Sequence, residues 1–296
     1  MIFGTEQEVR MSEEEFRLIR DLIHAHCGIF FDTDSKFLLE KRLFRRLSVH
    51  QLPGFTEYYH FLKYSRGREQ EFSDIMDVLT TNETYFFREE FQLKAFAGEI
   101  LPELKACKEK KGDRTLRIWS AGCSTGEEPY TIAMLILETA SFHGWKVEIV
   151  GTDISHRVLQ HARKGVYGKS SFRTTEEGRV RRFFQEQDGL FRINDEVRGL
   201  VTISHLNLFD ENRMILLGKM DVIFCRNVII YFDQGAKKRV VESFYRSLRE
   251  GGYLLLGHAE SLLNTTTAFA LKHLKNDMVY QKPYSVAGGG TAPCKG

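Results

Sequence analysis

From Thr115 onward the chain alternates short apolar runs with stretches of helical periodicity, and this alternation constrains its fold more than any other feature. The apolar runs include TLRIWS from Thr115, VEIVGTD from Val147 and DVIFCRN from Asp221, and a helical stretch follows each of them. Strands that alternate with helices form a parallel sheet with helices on both faces. The pattern therefore predicts an α/β domain, interrupted between Val166 and Gly199 by a polar, arginine-rich segment in which DGLFRINDEVRGLV is typical of a hairpin.

The first ~90 residues predict helices only. Ser12 and Glu15 have the spacing of a capping box, and Leu39, Leu43 and Leu47 lie on one face of a second helix. The last residues are small and glycine-rich, which is typical of a disordered tail. We therefore expect an all-helical domain over residues 1–88, an α/β domain over 89–283 with an insert at about 166–200, and a tail over 284–296.

Composition excludes several classes of function. The chain has 42 basic and 40 acidic side chains, a net charge of +2, which does not favour binding to nucleic acid or to an anionic membrane. No apolar run approaches the roughly 18 residues that cross a bilayer, and the start lacks the pattern of a signal peptide. The five cysteines form no CxxC pair and no cluster with histidine at metal spacing. We expect a cytoplasmic protein without membrane insertion and without a metal site.

The loop IWSAGCSTGEEPY leaves the first predicted strand and opens a helix, which is where nucleotides bind in α/β folds. A phosphate-binding P-loop would need a lysine after Gly126, and the chain has Glu127 there. In a dinucleotide fold the pyrophosphate would lie at this helix start, where Glu127 and Glu128 would repel it. The loop therefore suits a cation or a ligand without phosphate.

S-adenosylmethionine is such a ligand, since it carries an ammonium and a positive sulfonium. We expect Gly122 and Gly126 to let the backbone approach it, and Glu127 to face its positive amino-acid end. A tight turn capped by helix-start glutamates is the alternative interpretation of the same residues.

Two further strand ends fit this ligand. Asp153 ends the strand VEIVGTD, where an acidic residue can accept both hydroxyls of a ribose, although it could instead cap the next helix. Arg226 and Asn227 follow the strand DVIFC at the position where enzymes that methylate amines of bases carry an NPPY-like motif. An arginine at this point favours an anionic acceptor. Cys123 and Cys225 have no histidine beside them in sequence, which argues against cysteine catalysis.

The segments LTTNETYFFRE, WSAGCSTGEEPYT, VGTDIS, FCRNVIIYFD and LLLGHAES, in this order behind a basic helical region, resemble the CheR-type chemotaxis receptor methyltransferases. These are protein-glutamate O-methyltransferases, and the resemblance covers about residues 10–283. It implies an all-α N-terminal domain joined to a seven-stranded, Rossmann-like S-adenosylmethionine-dependent methyltransferase sheet, with the insert as a small antiparallel β-subdomain.

The resemblance also implies the site residues. Arg88 and Tyr231 are expected to hold the acceptor carboxylate, although an interdomain ion pair is the alternative role for Arg88. Glu83 lies among these positions, and alternation should point it away from the ligand. Besides Gly122, the cofactor contacts that the resemblance implies are Asn82, Thr84, Arg88, Glu127, Asp153, Asn207, Leu208, Arg226 and Asn227.

In the second helix, Lys41, Arg42, Arg45 and Arg46 form a basic stripe at spacings of three and four. A solvated face is the usual meaning of such a stripe. With acidic receptor helices as the implied substrate, Arg42, Arg45 and Arg46 are predicted to dock the cytoplasmic helical domain of methyl-accepting chemotaxis receptors.

The predicted activity is methyl transfer from S-adenosylmethionine to receptor glutamates, with S-adenosylhomocysteine as product and the enzyme acting as a monomer. A cofactor-binding signalling scaffold without transferase activity is the main alternative. A small-molecule or RNA methyltransferase would not be expected to have the basic helix, and the loop chemistry argues against a dehydrogenase.

Overall fold

A computed structural model describes residues 9–284, and they divide into two compact units. The helical unit contains the residues up to Thr81 together with the short segment Tyr231–Ala236. The sheet unit contains Asn82–Ile230 and the chain from Lys237 onward. Apart from Tyr284, the predicted tail lies outside the described residues.

The division falls before Asn82 and not after Arg88, where the sequence placed it. Phe86 explains the difference, since its ring packs edge-on against Tyr167 and Phe184 of the sheet unit, with centroid distances of 4.8 Å and 5.0 Å. The loop from Asn82 to Arg88 is therefore part of the sheet unit.

The predicted capping box at the first helix is present. Ser12 accepts a hydrogen bond from the Glu15 backbone N–H, and the Glu15 carboxylate accepts one from Ser12. The predicted apolar face of the second helix is fully buried. Within the described part of the helical unit, the α-helices that lie wholly inside it are α1 (Glu13–Cys27), α2 (Lys36–Val49), α3 (Phe55–Tyr64) and α4 (Arg68–Leu79).

A buried carboxylate ties α2 to α4. Glu71 is 1% exposed and accepts hydrogen bonds from the Arg46 guanidinium at 2.9 Å and 2.6 Å, and further bonds from Tyr58 and His50. Burial acts to raise the pKa of the Glu71 carboxyl, but these hydrogen bonds outweigh burial and hold its pKa below the usual value. Arg46 also pairs with Asp74 at 2.6 Å. The side chain of Arg46 therefore stabilises the helical unit, and its place in an exposed basic stripe was wrongly predicted.

The sheet unit is built on a seven-stranded sheet. The first five strands in its spatial order are parallel to one another, as the alternating pattern predicted. The sixth strand in the spatial order below, β10, pairs antiparallel with both of its neighbours, β8 and β9. The spatial order is β6-β2-β1-β7-β8-β10-β9. These strands are β1 (Thr115–Ala121), β2 (Lys146–Asp153), β6 (Val201–His205), β7 (Met220–Cys225), β8 (Leu248–Leu256), β9 (Ala270–His273) and β10 (Met278–Gln281).

The insert forms its own three-stranded antiparallel sheet, in the order β3-β5-β4. Its hairpin turns at Asp188 and Gly189, whose φ values of 52° and 73° are both left-handed, as a type I′ turn requires. The hairpin begins at Phe184, earlier than the sequence suggested. The strands are β3 (Val166–Tyr167), β4 (Phe184–Gln187) and β5 (Leu190–Ile193), and the implied fold class is confirmed.

The core of the sheet unit is aromatic and aliphatic. Phe96, in a π-helical turn, packs edge-on against Phe224 of β7 with ring centroids 5.1 Å apart.

Asp233 accepts a hydrogen bond from the Ala236 backbone N–H at 2.8 Å at the start of the last helix, which crosses from one unit into the other. The remaining α-helices are α5 (Glu90–Ala95), α6 (Leu101–Lys110), α7 (Glu127–Thr139), α8 (His156–Lys164), α9 (Glu177–Phe183), α10 (Asp195–Arg198), α11 (Glu211–Leu216) and α12 (Gln234–Ser247).

Residues 9–284 contain neither a membrane-spanning helix nor a metal-binding cluster. None of their helices combines the length and the apolar character that a membrane span requires. Their histidine, cysteine, aspartate and glutamate side chains form no group of three or more that could hold a metal ion.

Candidate functional site

The carboxyl ends of β1, β2 and β6 meet at one edge of the sheet. Gly122 follows β1, and its N–H donates to the Thr152 carbonyl of β2 at 2.8 Å. Leu206 follows β6, and its N–H donates to the Asp153 carbonyl at 3.0 Å. These bonds place the glycine loop, Asp153 and the Asn207 region side by side, where ligands bind in open α/β sheets.

Gly122 and Gly126 are required by the packing of the protein itself. Their φ values are 81° and 96°, in the region that favours glycine. A Cβ on Gly122 would lie 2.3 Å from a Val228 methyl, and one on Gly126 would lie 2.9 Å from the Ala162 Cβ. Close approach to a ligand, which the sequence suggested for both glycines, stays a prediction.

Glu127 begins α7 as a buried carboxylate that is 2% exposed. The Thr125 hydroxyl donates to one carboxylate oxygen at 2.7 Å, and the Ser171 hydroxyl donates to the other at 3.1 Å. Burial raises the pKa of Glu127, and the two hydroxyls oppose that effect. Within the part of the chain that the structure describes, Glu127 forms no ion pair with a basic side chain, so it can accept a cationic group from a ligand.

Glu128 is neutralised within the protein. Its carboxylate accepts a hydrogen bond from Ser120 at 2.7 Å and pairs with Arg226 at 3.2 Å. Burial raises the pKa of Glu128, while Arg226 acts in the opposite direction. Of the two adjacent glutamates, Glu127 is thus the one without an ion pair among the described residues.

The sequence suggested that Arg226 binds an anionic acceptor, but in the structure its side chain is paired with carboxylates of the protein itself. Its side chain is 3% exposed and pairs with Glu89 at 3.0 Å as well as with Glu128. It also donates to the Arg88 carbonyl at 2.6 Å. The guanidinium therefore holds the Arg88–Glu89 turn against the end of β7 and is not available to a ligand, and the next residue, Asn227, donates its N–H to the Glu260 carboxylate at 2.8 Å.

The loop that begins at Asn82 lies against the glycine loop. The Ser124 hydroxyl donates to the Asn82 carbonyl at 3.3 Å. The Arg88 guanidinium donates to the Glu83 carbonyl at 2.9 Å, and no carboxylate in residues 9–284 forms an ion pair with it. The alternative role of Arg88 in an interdomain ion pair is therefore absent from the described chain. The Glu83 side chain is 66% exposed and pairs with Arg173 at 3.0 Å, while Thr84 is half-buried.

Four residues of these loops have left-handed backbone conformations without being glycine. Their φ values are 58° at Phe87, 59° at Glu89, 48° at Ser124 and 60° at Asn227. Such a conformation costs roughly 1–2 kcal/mol per residue, and it is concentrated at functional sites. The four positions border the same strand ends, which supports a binding site there.

Asp153 is buried, and both of its carboxylate oxygens accept backbone hydrogen bonds. Ser124 N–H donates to one oxygen at 2.9 Å, and Ser155 N–H donates to the other at 3.0 Å. The N-cap of α8 is Ser155 and not Asp153, so the cap interpretation of Asp153 was wrong. On the next strand end, Asn207 accepts from the Phe209 N–H at 2.9 Å, and the neighbouring Leu208 is buried.

Tyr231 belongs to the helical unit, where its carbonyl accepts a hydrogen bond from the Phe30 N–H at 2.9 Å. The residue is 39% exposed. Its predicted action on the acceptor stays a prediction.

The buried thiols are unsuited to nucleophilic chemistry. Cys123 is 1% exposed and Cys225 is 0% exposed. Burial, reinforced by nearby carboxylates, raises the pKa of both thiols well above the usual value. The thiolate that cysteine catalysis requires is therefore disfavoured at both positions.

The site fits S-adenosylmethionine chemically. Glu127 is a buried carboxylate, the residue type that pairs with an ammonium, and Asp153 lies on the neighbouring strand end; contact of either side chain with the ligand stays a prediction. Sequence reasoning missed the hydroxyls of Thr125 and Ser171 that hold Glu127, because neither residue type carries a signal of its own in these segments.

Comparison with known families agrees with this geometry. Residues 82–278 match the family described as "CheR methyltransferase, SAM binding domain". Residues 14–80 match "CheR methyltransferase, all-alpha domain". S-adenosylmethionine (SAM) is therefore the cofactor of the sheet unit.

Relatives of similar length match nearly the whole chain. Chemotaxis protein methyltransferase 2 of Vibrio cholerae is 34% identical over 279 residues, covering 94% of this chain and 96% of the relative. The chemotaxis protein methyltransferase of Borreliella burgdorferi is 36% identical, covering 86% and 90%. Chemotaxis protein methyltransferase 2 of Pseudomonas aeruginosa is 36% identical, covering 90% and 92%. With both of its domains matched and relatives at this identity, the chain belongs to the CheR methyltransferase family.

Proposed function

We propose that the protein transfers methyl groups from S-adenosylmethionine to glutamate side chains of chemoreceptors, forming glutamate methyl esters. The observation that carries the proposal is Glu127, a buried carboxylate without a basic partner among the described residues, at the exit of the first strand. It suits the positive amino-acid end of this methyl donor. The relatives reported above, which are chemotaxis protein methyltransferases, support chemoreceptors as the substrate.

The chemistry needs little more than alignment. When bound, the cofactor supplies a methyl group whose bond to sulfur breaks as a carboxylate oxygen of the acceptor bonds to the carbon. The acceptor glutamate is already ionised at neutral pH, since an ordinary glutamate has a pKa near 4.3. No general base is required, and positioning can account for ~7–11 kcal/mol of the barrier.

Arg88 is our candidate for orienting the acceptor. Its guanidinium forms no ion pair in the described chain, and a planar guanidinium can grip a carboxylate in two-point fashion. The hydroxyl of Tyr231 is proposed to assist on the substrate side. Further proposed cofactor contacts are Asn82, Thr84, Asp153, Asn207, Leu208, Asn227 and the main chain of Arg226.

Methylation of receptor fragments tests the proposal. The full chain is incubated with radiolabelled S-adenosylmethionine and the cytoplasmic helical fragment of a chemoreceptor, and the labelled product is treated with alkali. We expect label that base releases as methanol, because esters hydrolyse and N-methyl groups do not. Base-stable label would contradict a glutamate ester, and cofactor binding without any label would support the scaffold alternative.

The exposed face of α2 is proposed to dock an acidic receptor helix. Phe37 is 67% exposed and Phe44 is 44% exposed, and the exposed basic residues Lys41 and Arg45 lie at helical spacing beside them. Arg42 contributes less than predicted, since its guanidinium donates to the Leu79 carbonyl. We therefore propose that Phe37, Lys41, Phe44 and Arg45 form the docking surface. Arg42 is given a smaller part in it, and Arg46 is left out because it pairs with Glu71 and Asp74.

Reversing two charges on this face should weaken receptor binding. The double variant Lys41→Glu, Arg45→Glu is expected to raise the KM for the receptor fragment about 5- to 10-fold at low salt and less at high salt, since exposed charges are screened. Affinity for S-adenosylmethionine, measured by calorimetry, should not change.

The matched control is Lys110→Glu, Lys111→Glu, which makes the same change in net charge at the exposed end of α6. Its KM for the receptor should stay within about twofold of the parent value. Equal KM increases in the two double variants would contradict docking on α2 and indicate a general charge effect.

A further inference from the structure

One residue of the insert contacts two of the elements that the resemblance links to the cofactor. Ser171 lies in a 3-10 turn, Lys169–Phe172, between β3 and α9. Its hydroxyl donates to the Glu127 carboxylate at 3.1 Å, and its carbonyl accepts from the Phe86 N–H at 2.9 Å. It therefore connects the start of α7 with the loop that follows Asn82.

The turn is held firmly by aromatic packing. The Phe172 ring stacks on Phe86 with centroids 5.1 Å apart and an interplanar angle of 16°. It also contacts Phe184 and Phe191 of the insert sheet, each at 4.9 Å between centroids. In addition, the Thr174 hydroxyl donates to the Phe86 carbonyl at 3.1 Å. Ser171 is thus presented to Glu127 by a packed structure rather than by a free loop.

The Glu127 carboxylate depends on few donors. Thr125 donates to Oε2 at 2.7 Å and Ser171 donates to Oε1 at 3.1 Å, so each oxygen has one hydroxyl partner. The residue is 2% exposed, so water replaces a lost donor poorly. Burial raises the pKa of Glu127 and the Ser171 hydroxyl lowers it, so the hydroxyl favours the ionised form.

We propose that Ser171 is a positioning residue for the cofactor, acting through Glu127, and that the β-subdomain insert is thereby part of the cofactor site. The inference rests on the proposed contact between Glu127 and the ammonium of S-adenosylmethionine. Ser171 holds the carboxylate in the orientation and charge state in which it receives that ammonium. The insert accordingly has a role inside the cofactor site, beyond any role in binding a partner.

Ser171→Ala tests the inference by calorimetric titration of the full chain with S-adenosylmethionine. We expect affinity to fall about 2- to 10-fold, the range for one lost hydrogen bond. Without the hydroxyl, the pKa of Glu127 rises further. Since protonated Glu127 cannot pair with an ammonium, the loss of affinity on acidification should begin at a higher pH than in the parent.

Two companion variants separate positioning from structure. Ser171→Thr keeps a hydroxyl and is expected to restore both the affinity and the pH profile of the parent. Ser170→Ala removes the hydroxyl of the exposed neighbour in the same turn and should change neither. Parent-like affinity and pH profile in Ser171→Ala would overturn the inference, as would failure of Ser171→Thr to restore them.

Glu127→Gln distinguishes this inference from the proposed function. Weak binding by Glu127→Gln together with parent-like binding by Ser171→Ala would overturn only the role of Ser171. Parent-like binding by Glu127→Gln would overturn the proposed cofactor contact itself, and the role of Ser171 with it.

Discussion

Replacing Arg226 with methionine is expected to lower the free energy of unfolding by about 3–5 kcal/mol at neutral pH, as measured by chemical denaturation. The substitution removes the positive partner of Glu89 and Glu128. The three side chains are 3%, 11% and 14% exposed, so water cannot take the place of the guanidinium. Methionine preserves much of the apolar length of the side chain, so the loss reports the missing charge more than a cavity.

The destabilisation should depend on pH in a defined direction. Burial raises the pKa of Glu128 and Arg226 opposes that rise, so the variant raises the folded-state pKa of Glu128 further above its unfolded value. A carboxyl whose pKa is higher in the folded state than in the unfolded state lowers the free energy of unfolding at pH values above its unfolded pKa. The difference in the free energy of unfolding between variant and parent should therefore be largest at neutral pH and become smaller as the pH is lowered.

Arg246→Met provides the matched control. Arg246 pairs with Glu211 at 2.6 Å, but the two side chains are 53% and 37% exposed. Removing an exposed ion pair costs less than about 1 kcal/mol. If Arg226→Met were no more destabilising than Arg246→Met, the buried cluster would not stabilise the sheet unit in the way described.

Much of the sheet could be predicted because its strands are short apolar runs bounded by turns and helices. The edge strand β9 was missed, and the reason is physical. Its residues Ala270 to His273 are mostly exposed and lack the alternation of a half-buried strand. The strand exists because it pairs with β10, for example Met278 with His273. A preference that arises from pairing is not visible in the segment itself.

The site was predictable in its residue types but not in its electrostatics. The loop sequence indicated two helix-start glutamates and favoured Glu127 as the ligand contact, yet it could not show that Glu128 has a basic partner within the protein. That depends on Arg226, which is 98 residues from Glu128 in sequence. In the same way, helical spacing placed Arg46 in a basic stripe, and only the packing of α4 brings Glu71 to it. Long-range ion pairs decide which charges stay available.

Glu127→Gln is expected to weaken the binding of S-adenosylmethionine about 30-fold or more, because losing one member of a buried charge pair costs about 2–5 kcal/mol. Glutamine has nearly the same shape: its carbonyl oxygen can accept from one of the two hydroxyls of Thr125 and Ser171, and its amide N–H can donate to the oxygen of the other. The loss therefore reports the charge. Calorimetric titration of the full chain measures it.

Glu127→Gln should weaken cofactor binding without lowering the stability of the cofactor-free chain. Arg226→Met, in contrast, is expected to lower stability. Burial raises the pKa of Glu127, which means that the fold disfavours its ionised form. Removing that charge should leave the Tm of the cofactor-free chain unchanged or higher, while the rise in Tm on adding S-adenosylmethionine becomes smaller. Glu83→Gln is the matched control, since this carboxylate is 66% exposed beside the same site and should leave affinity within about twofold. A Glu127→Gln variant that binds the cofactor as tightly as the parent, or that loses stability without it, would make Glu127 a structural carboxylate like Glu128.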